Sequence, residues 1–258
     1  MPTFLAIFEY KGTPYHGWQA QPGLKTVQGE IQAALKILTG QQITIQACGR
    51  TDAGVHALAM PISFRVSGIE ANRLREGVNG LLARQSIACL DVYTMPDEFN
   101  ARFDCVSRAY EYRILARRAP PTLTQGYVHP VRVPLDMAAM NTAATYLIGR
   151  HDFSTFRSSQ CQAASPLKTL DHLHVTQHGQ EILIHAAAKS FLHHQVRLMV
   201  GSLIQVGKGT WQADDMKKAL EARNPAAAGP MAPAEGLYFV QGTYGHLPPP
   251  GPYSRCAA

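Results

Sequence analysis

Hydrophobic positions along this chain switch between two periods, and the switches mark out its elements. The run TFLAIFEY (3–10) is continuous and rich in aromatics, as a strand covered on both faces requires. After the polar, glycine-punctuated stretch KGTPYHGWQAQPGLK, Val27, Ile31, Ala34, Leu35 and Leu38 recur at helical spacing and stop at Gly40. That pattern predicts one amphipathic helix ended by a glycine. QITIQAC (42–48) and MPISFRV (60–66) predict two strands that flank a loop. A helix through Leu74, Val78, Leu81 and Leu82 follows, then a strand at SIACLDVYT, so the first half reads β-α-β-β-α-β.

The same order returns after residue 105. RAYEYRIL places Tyr110, Tyr112 and Ile114 on one strand face and Glu111 and Arg113 on the other. A Pro-rich connection leads to a helix over Met137–Ile148, with Asp136 as N-cap. LDHLHVTQ and EILIHAAA predict strands; Val196, Met199, Val200, Leu203 and Ile204 a helix; ADDMKKALEA a shorter helix; and GLYFVQGTY a last strand. The expected fold is α+β: two split β-α-β halves of ferredoxin-like plan, over 1–104 and 105–258. These halves are expected to join into one mixed, largely antiparallel sheet with flanking helices and a basic central cleft. The Pro-rich tail HLPPPGPYSRCAA is expected to be loose.

Composition narrows the class. With 258 residues, 46% hydrophobic and 16% charged, the chain has material for a sizeable core. The excess of 24 Lys and Arg over 18 Asp and Glu, a net +6, suits a polyanionic partner. Arg102, Arg108, Arg113, Arg117 and Arg118 cluster against only Asp104 and Glu111, which predicts a phosphate-binding surface or a solvated strand face. Five cysteines without a C-x-x-C pair argue against a disulfide framework or a zinc site. The N-terminal apolar run is interrupted by Glu9 and too short for a signal or membrane segment, which predicts a cytoplasmic protein.

One segment invites a chemical reading. In CGRTDAGVHA, Asp52 follows Arg50 by two residues and lies between Gly49 and Gly54, on a loop between two predicted strands. Such a loop holds a side chain where it can reach a substrate; a turn aspartate bonded to its own backbone is the plainer reading. Asp152 is a second carboxylate that a glycosidase pair would require, although its place at a predicted helix end favours a structural role. Seven of the eleven histidines fall between His151 and His194. Only His172 and His174 share a strand face, and neighbours on a helix such as His193 and His194 point about 100° apart, so no metal site is expected. Tyr112, Trp18 and Trp211 read as packing residues, the tryptophans equally as exposed contacts to a polyanionic partner.

Longer stretches say more. YKGTPYHGWQAQPGLKTVQGEIQAAL, CGRTDAGVHA, RFDCVSRAYEYRIL, GRHDFSTFR, FLHHQVRLMVGSL and APAEGLYFV occur in that order from Tyr10 to Val240. Together they closely resemble the tRNA pseudouridine synthase A family. The resemblance implies isomerisation of uridine to pseudouridine at positions 38, 39 and 40 of the tRNA anticodon stem-loop, by a homodimer that needs no cofactor or metal. It also implies residue roles. Asp52 matches the catalytic aspartate, and Arg50 an arginine that helps open the RNA. Tyr110 matches an aromatic residue that packs on uracil, Arg197 an arginine that pairs with the aspartate, and Leu237 an apolar wall. Gln195 stands where the family more often has methionine.

These residue types fit the reaction. A stem uridine must be unstacked, at a cost of a few kcal/mol, before its glycosidic bond is broken. An aromatic platform returns roughly 1–3 kcal/mol of that. The exchange of a C–N for a C–C bond needs no net oxidation or hydrolysis, and the chain carries no P-loop, dinucleotide fingerprint or zinc deaminase signature. Whether Asp52 acts at the sugar or the base stays open. Two other readings share the basic and aromatic residues: a non-catalytic RNA-binding protein, which an acidic group in a phosphate-binding cleft disfavours, and a nucleobase glycosidase that releases the base.

Overall fold

The computed structural model describes residues 1–245; the Pro-rich tail and Cys256 lie outside them. The elements run β1 (Thr3–Tyr10), α1 (Val27–Thr39), β2 (Gln46–Ala47), β3 (His56–Arg65), α2 (Ala71–Leu82), β4 (Ile87–Met95), β5 (Cys105–Ala116), β6 (His129–Val131), α3 (Met137–Thr145), β7 (Gly149–Asp152), β8 (Leu167–His178), β9 (Glu181–Ala188), α4 (Gln195–Gly207), α5 (Ala213–Ala222) and β10 (Leu237–Tyr244). The described residues form two compact units, one of residues 1–108 with 238–245, the other of 109–237. The first break falls four residues beyond the expected one at 104/105. The second falls before β10, which clusters with the first unit.

The first unit is built on β1, whose eight residues are buried except for partly exposed Glu9. β1 pairs antiparallel with β3, aligning Phe4 with Phe64 and Ala6 with Ile62, and antiparallel with β4, aligning Leu5 with Tyr93. β2 adds to β3 at Gln46–Ser63, and β10 lies parallel to β3 at Tyr238–His56. The order β4-β1-β3-β2 is the ferredoxin-like arrangement of a split β-α-β unit. Val27, Ile31, Ala34 and Leu35 of α1 and Leu74, Val78 and Leu82 of α2 are its buried helical positions. Thr26 Oγ1 accepts from Gly29 N at 3.3 Å to start α1, and Gly40 ends it at φ 70°, where the sequence places the stop.

The stretch QITIQAC is strand only over two residues. Ile43 and Ile45 are buried, but Gln32 Nε2 donates to the Ile43 carbonyl at 2.8 Å, a side chain standing where a ladder partner was expected. β3, in turn, begins at His56, four residues before the predicted Met60.

The second unit has the strand order β5-β9-β8-β7, with β6 parallel to β5 at Ile114–His129. β5, β9 and β8 repeat the first, third and second strand positions of the same plan. Asp136 caps α3 as expected, its Oδ1 accepting from Ala139 N at 2.9 Å, and the helix ends at Thr145, three residues early. The chain then forms β7, a strand the sequence did not suggest, where Gly149 takes φ 103°. A device occurs once in each unit: Asn79 of α2 exchanges two hydrogen bonds with the backbone of Cys89, at 2.8 and 2.7 Å, and Asn141 of α3 does so with Val175, at 2.9 and 2.8 Å. Each asparagine locks a helix onto a strand through a backbone N–H and C=O together.

Candidate active site

The Asp52 loop of the first unit rests directly on the backbone of residues 12–18. A Cβ at Gly12 would lie 1.9 Å from the Val55 carbonyl oxygen, and one at Gly17 would lie 3.0 Å from that of Thr51. Only glycine permits this approach, and Gly17 also adopts φ 87°. Trp18 N donates to Thr51 O at 3.0 Å, and Gly12 N to His56 Nδ1 at 3.1 Å. KGTPYHGW, which reads from the sequence as a plain polar loop, is the platform under the candidate catalytic residue.

Side chains fix the loop as well. Thr51 is buried, with its hydroxyl 2.8 Å from that of Tyr10, and Tyr10 packs against Trp18 at 6.0 Å between ring centroids. His56 is buried and stacks on Tyr238 at 4.7 Å. Val55 N donates to Asp52 O at 3.2 Å across a turn whose third residue, Gly54, has φ 82°. The turn is therefore closed by main-chain atoms and a left-handed glycine. Asp52 is left half-buried on this fixed backbone, and Arg50 is exposed.

In the second unit, Tyr110 is half-buried and meets Phe191 edge to face, at 5.2 Å and 87°. The sequence did not single out Phe191; its place at the head of FLHHQVR was the available signal. Arg197 lies in the first turn of α4, with Nε donating to Ala232 O at 2.8 Å while its own carbonyl accepts from Ala232 N at 3.1 Å. Leu237 is buried and follows Gly236, where a Cβ would fall 2.6 Å from the Tyr112 ring. Tyr112 is core, as expected: it is fully buried, and its hydroxyl donates to Pro233 O at 2.9 Å. Burial, and then Glu235, push that phenol above its ordinary range, with Arg197 opposing. Arg197, Tyr112 and Leu237 thus all engage the segment 232–237, whereas Tyr110 pairs with Phe191.

The start of α4 differs from expectation in two ways. His194 has φ 65° and precedes the helix, so the His193 and His194 rings lie 3.9 Å apart instead of diverging. Gln195 is buried, yet Oε1 accepts from Leu192 N at 2.8 Å. That bond explains how an amide occupies a position where an apolar side chain would be easier to bury.

Other candidates resolve into local roles. Asp152 Oδ1 accepts from Ser154 N at 2.9 Å, and Oδ2 lies 3.8 Å from Arg223 Nε. Hydrogen bonds from Ser154 first, then Arg223 and Arg157, hold its carboxyl below the usual value, against partial burial. Three arginines of the cluster have partners within the chain, while Arg102, Arg117 and Arg118 are exposed. Arg108 donates to the carbonyls of Cys48 and Arg102, Arg113 pairs with Glu111 at 2.7 Å, and Arg117 donates to Gln180 Oε1 at 2.8 Å. Glu111 was expected on an open strand face, but it is buried and also faces His185 Nδ1 at 3.7 Å.

Comparison with known proteins gives a consistent picture. A family profile described as tRNA pseudouridine synthase matches residues 6–104 and 143–245. A tRNA pseudouridine synthase A of Zymomonas mobilis subsp. mobilis is 52% identical over 245 residues, covering 95% of this chain and 100% of the relative. One from Caulobacter sp. strain K31 is 50% identical over 241 residues, covering 93% and 97%.

Proposed function

The chain belongs to the tRNA pseudouridine synthase family, and from that membership we propose that it isomerises uridine to pseudouridine in the anticodon stem-loop of tRNA, at positions 38, 39 and 40, with Asp52 as the catalytic carboxylate. Arg50, on the same loop, enters the RNA as the target base leaves the stack. Tyr110, Arg197 and Leu237 are the second unit's contributions to substrate binding. The first unit carries the catalytic loop and the second completes the RNA-binding surface. The protein works as a homodimer in the cytoplasm; among the described residues no helix is long and apolar enough to cross a membrane.

The observation that carries this reading is the construction of the Asp52 loop. Two glycines, a buried hydroxyl pair and main-chain bonds fix its backbone, while Asp52 itself stays half-exposed. A carboxylate held in this way keeps its position while the substrate changes, which is what a nucleophile or base on a rearranging nucleotide requires. Tyr110 is half-exposed, and its ring is held at one edge by Phe191, which suits a stacking platform for an extruded base.

The test is tritium release from tRNA labelled at uracil carbon five, with no added cofactor, run beside Asp52→Asn. Release by the native protein alone, with the base still attached to the RNA, is the expected result. Binding without release by either protein would favour the non-catalytic RNA-binding reading, and free base in solution the glycosidase.

A further inference from the structure

Two sulfurs meet at the root of the Asp52 loop. Cys48, the first residue of CGRTDAG, donates its thiol hydrogen to the Cys105 sulfur across 3.2 Å. Cys105 is the first residue of β5, and both side chains are buried, at 1% and 2% exposure. Gly242 of β10 leaves the space they occupy: a Cβ there would lie 2.6 Å from Cys48 Sγ and 3.2 Å from Cys105 Sγ. Arg108 donates to Cys48 O at 3.0 Å and to Arg102 O at 2.7 Å, which holds its guanidinium beside the pair.

We infer that Cys48 and Cys105 form a modification site, a buried dithiol that a small peroxide converts into an intramolecular disulfide joining the Asp52 loop to the start of β5. The sulfurs have to close from 3.2 Å to about 2.05 Å, so a shift of roughly 1 Å in one loop completes the bond.

The two thiols are unequal, which assigns their parts. The hydrogen bond from Cys48, followed by the Arg108 charge, pulls the Cys105 thiol below its ordinary range in spite of burial. The same bond and burial push Cys48 up. Cys105 therefore supplies the attacking thiolate. Its sulfur bonds to one peroxide oxygen as the O–O bond breaks, and the hydroxide released takes up a proton as water. The Cys48 sulfur then attacks the sulfenic sulfur, the S–O bond breaks, and the departing hydroxide leaves as a second water with the Cys48 proton. The two sulfurs together lose two electrons, and peroxide gains them. Burial excludes a thiol as large as glutathione, so the product is the internal disulfide and not a mixed one. Cys89, buried on β4 and pushed up to about 12 chiefly by burial, is the internal comparison that peroxide leaves alone.

The experiment exposes the reduced, folded protein to hydrogen peroxide, then unfolds, alkylates and digests it for mass mapping. The expected product is a peptide containing Cys48 cross-linked to one containing Cys105, reversed by dithiothreitol, present in Cys89→Ala and absent from Cys48→Ala. Recovery of both residues as free thiols, or of Cys105 as sulfinic acid without the cross-link, overturns the proposal. So does a cross-link that forms only when urea is present during oxidation. Mapping the native protein decides the matter even if Cys48→Ala does not fold, and none of these readouts depends on RNA modification.

Discussion

The Tyr10 hydroxyl lies 2.8 Å from Thr51 Oγ1, at the end of the buried strand β1 and one residue before Asp52. Both side chains are buried, so each hydroxyl satisfies the other where water does not reach. The bond ties the candidate catalytic loop to the centre of the first unit's sheet rather than to its surface.

Removing one partner should therefore leave the other unsatisfied, so the two losses should not add. Tyr10→Phe strands the Thr51 hydroxyl and should destabilise by about 1–3 kcal/mol, with turnover falling about tenfold as the loop loosens. Thr51→Val should behave similarly. The double variant should cost less than the sum of the singles, by a coupling of about 0.5–1.5 kcal/mol. Urea unfolding of all four proteins checks this; strict additivity would mean that the bond contributes nothing.

Gly12, Gly17 and Gly23 separate close approach from backbone strain. A methyl at Gly12 meets the Val55 carbonyl at 1.9 Å, so Gly12→Ala requires the backbone to move and should cost on the order of 3 kcal/mol or more. Gly17→Ala combines φ 87° with a 3.0 Å contact and should fall between the other two. Gly23 has φ 73° but open space, so Gly23→Ala should cost only about 1–2 kcal/mol. Thermal melts rank the three, and the first two variants should also lose turnover.

Much of this was legible in the sequence where one periodic pattern decides one element. α1 with its Gly40 stop, α5 over Ala213–Ala222, and β1 follow from apolar spacing and caps alone. What was not legible depends on partners distant in the chain. β2 shrinks to two residues because Gln32 takes a carbonyl of the preceding stretch, and β10 pairs with β3, some 180 residues earlier, and clusters with residues 1–108. Glu111 alternates like a solvent-facing residue, yet it is buried beside Arg113 and His185. At the candidate site, Asp52 stood out through its motif, whereas Gly12, Gly17 and Tyr10 did not, since their role is contact with a loop some forty residues away.

Histidines of the second unit should make stability fall in mild acid. His174 and His185 stack at 4.7 Å, and His185 Nε2 lies 3.1 Å from Thr176 Oγ1. Burial chiefly lowers both from the ordinary imidazole value of 6.5; like charge from His172 and His174 adds to it, and Glu111 opposes it at His185. Below that value the unfolded chain binds protons that these folded imidazoles refuse, so the unfolded state gains. Their stabilising contribution is complete above about pH 6.5 and is lost as pH falls through the depressed folded values. Urea midpoints measured from pH 7.5 down to 5.5 should decline, and His185→Gln should decline less steeply. Parallel curves would remove His185 from the account.

Gln195 offers a test in which the commoner family residue should be the worse one. Its Oε1 accepts from Leu192 N at 2.8 Å in a buried bend, just after the left-handed His194. Methionine matches glutamine in length but accepts hydrogen bonds only weakly, so Gln195→Met leaves the Leu192 N–H without its acceptor. The cost should be about 1–3 kcal/mol in urea unfolding, partly offset by easier burial of the thioether. Because the substitution loosens the bend that leads into Arg197, KM for tRNA should rise more than kcat falls. A variant as stable as the native protein would show that the bend is held by its backbone alone, with the amide a tolerated passenger.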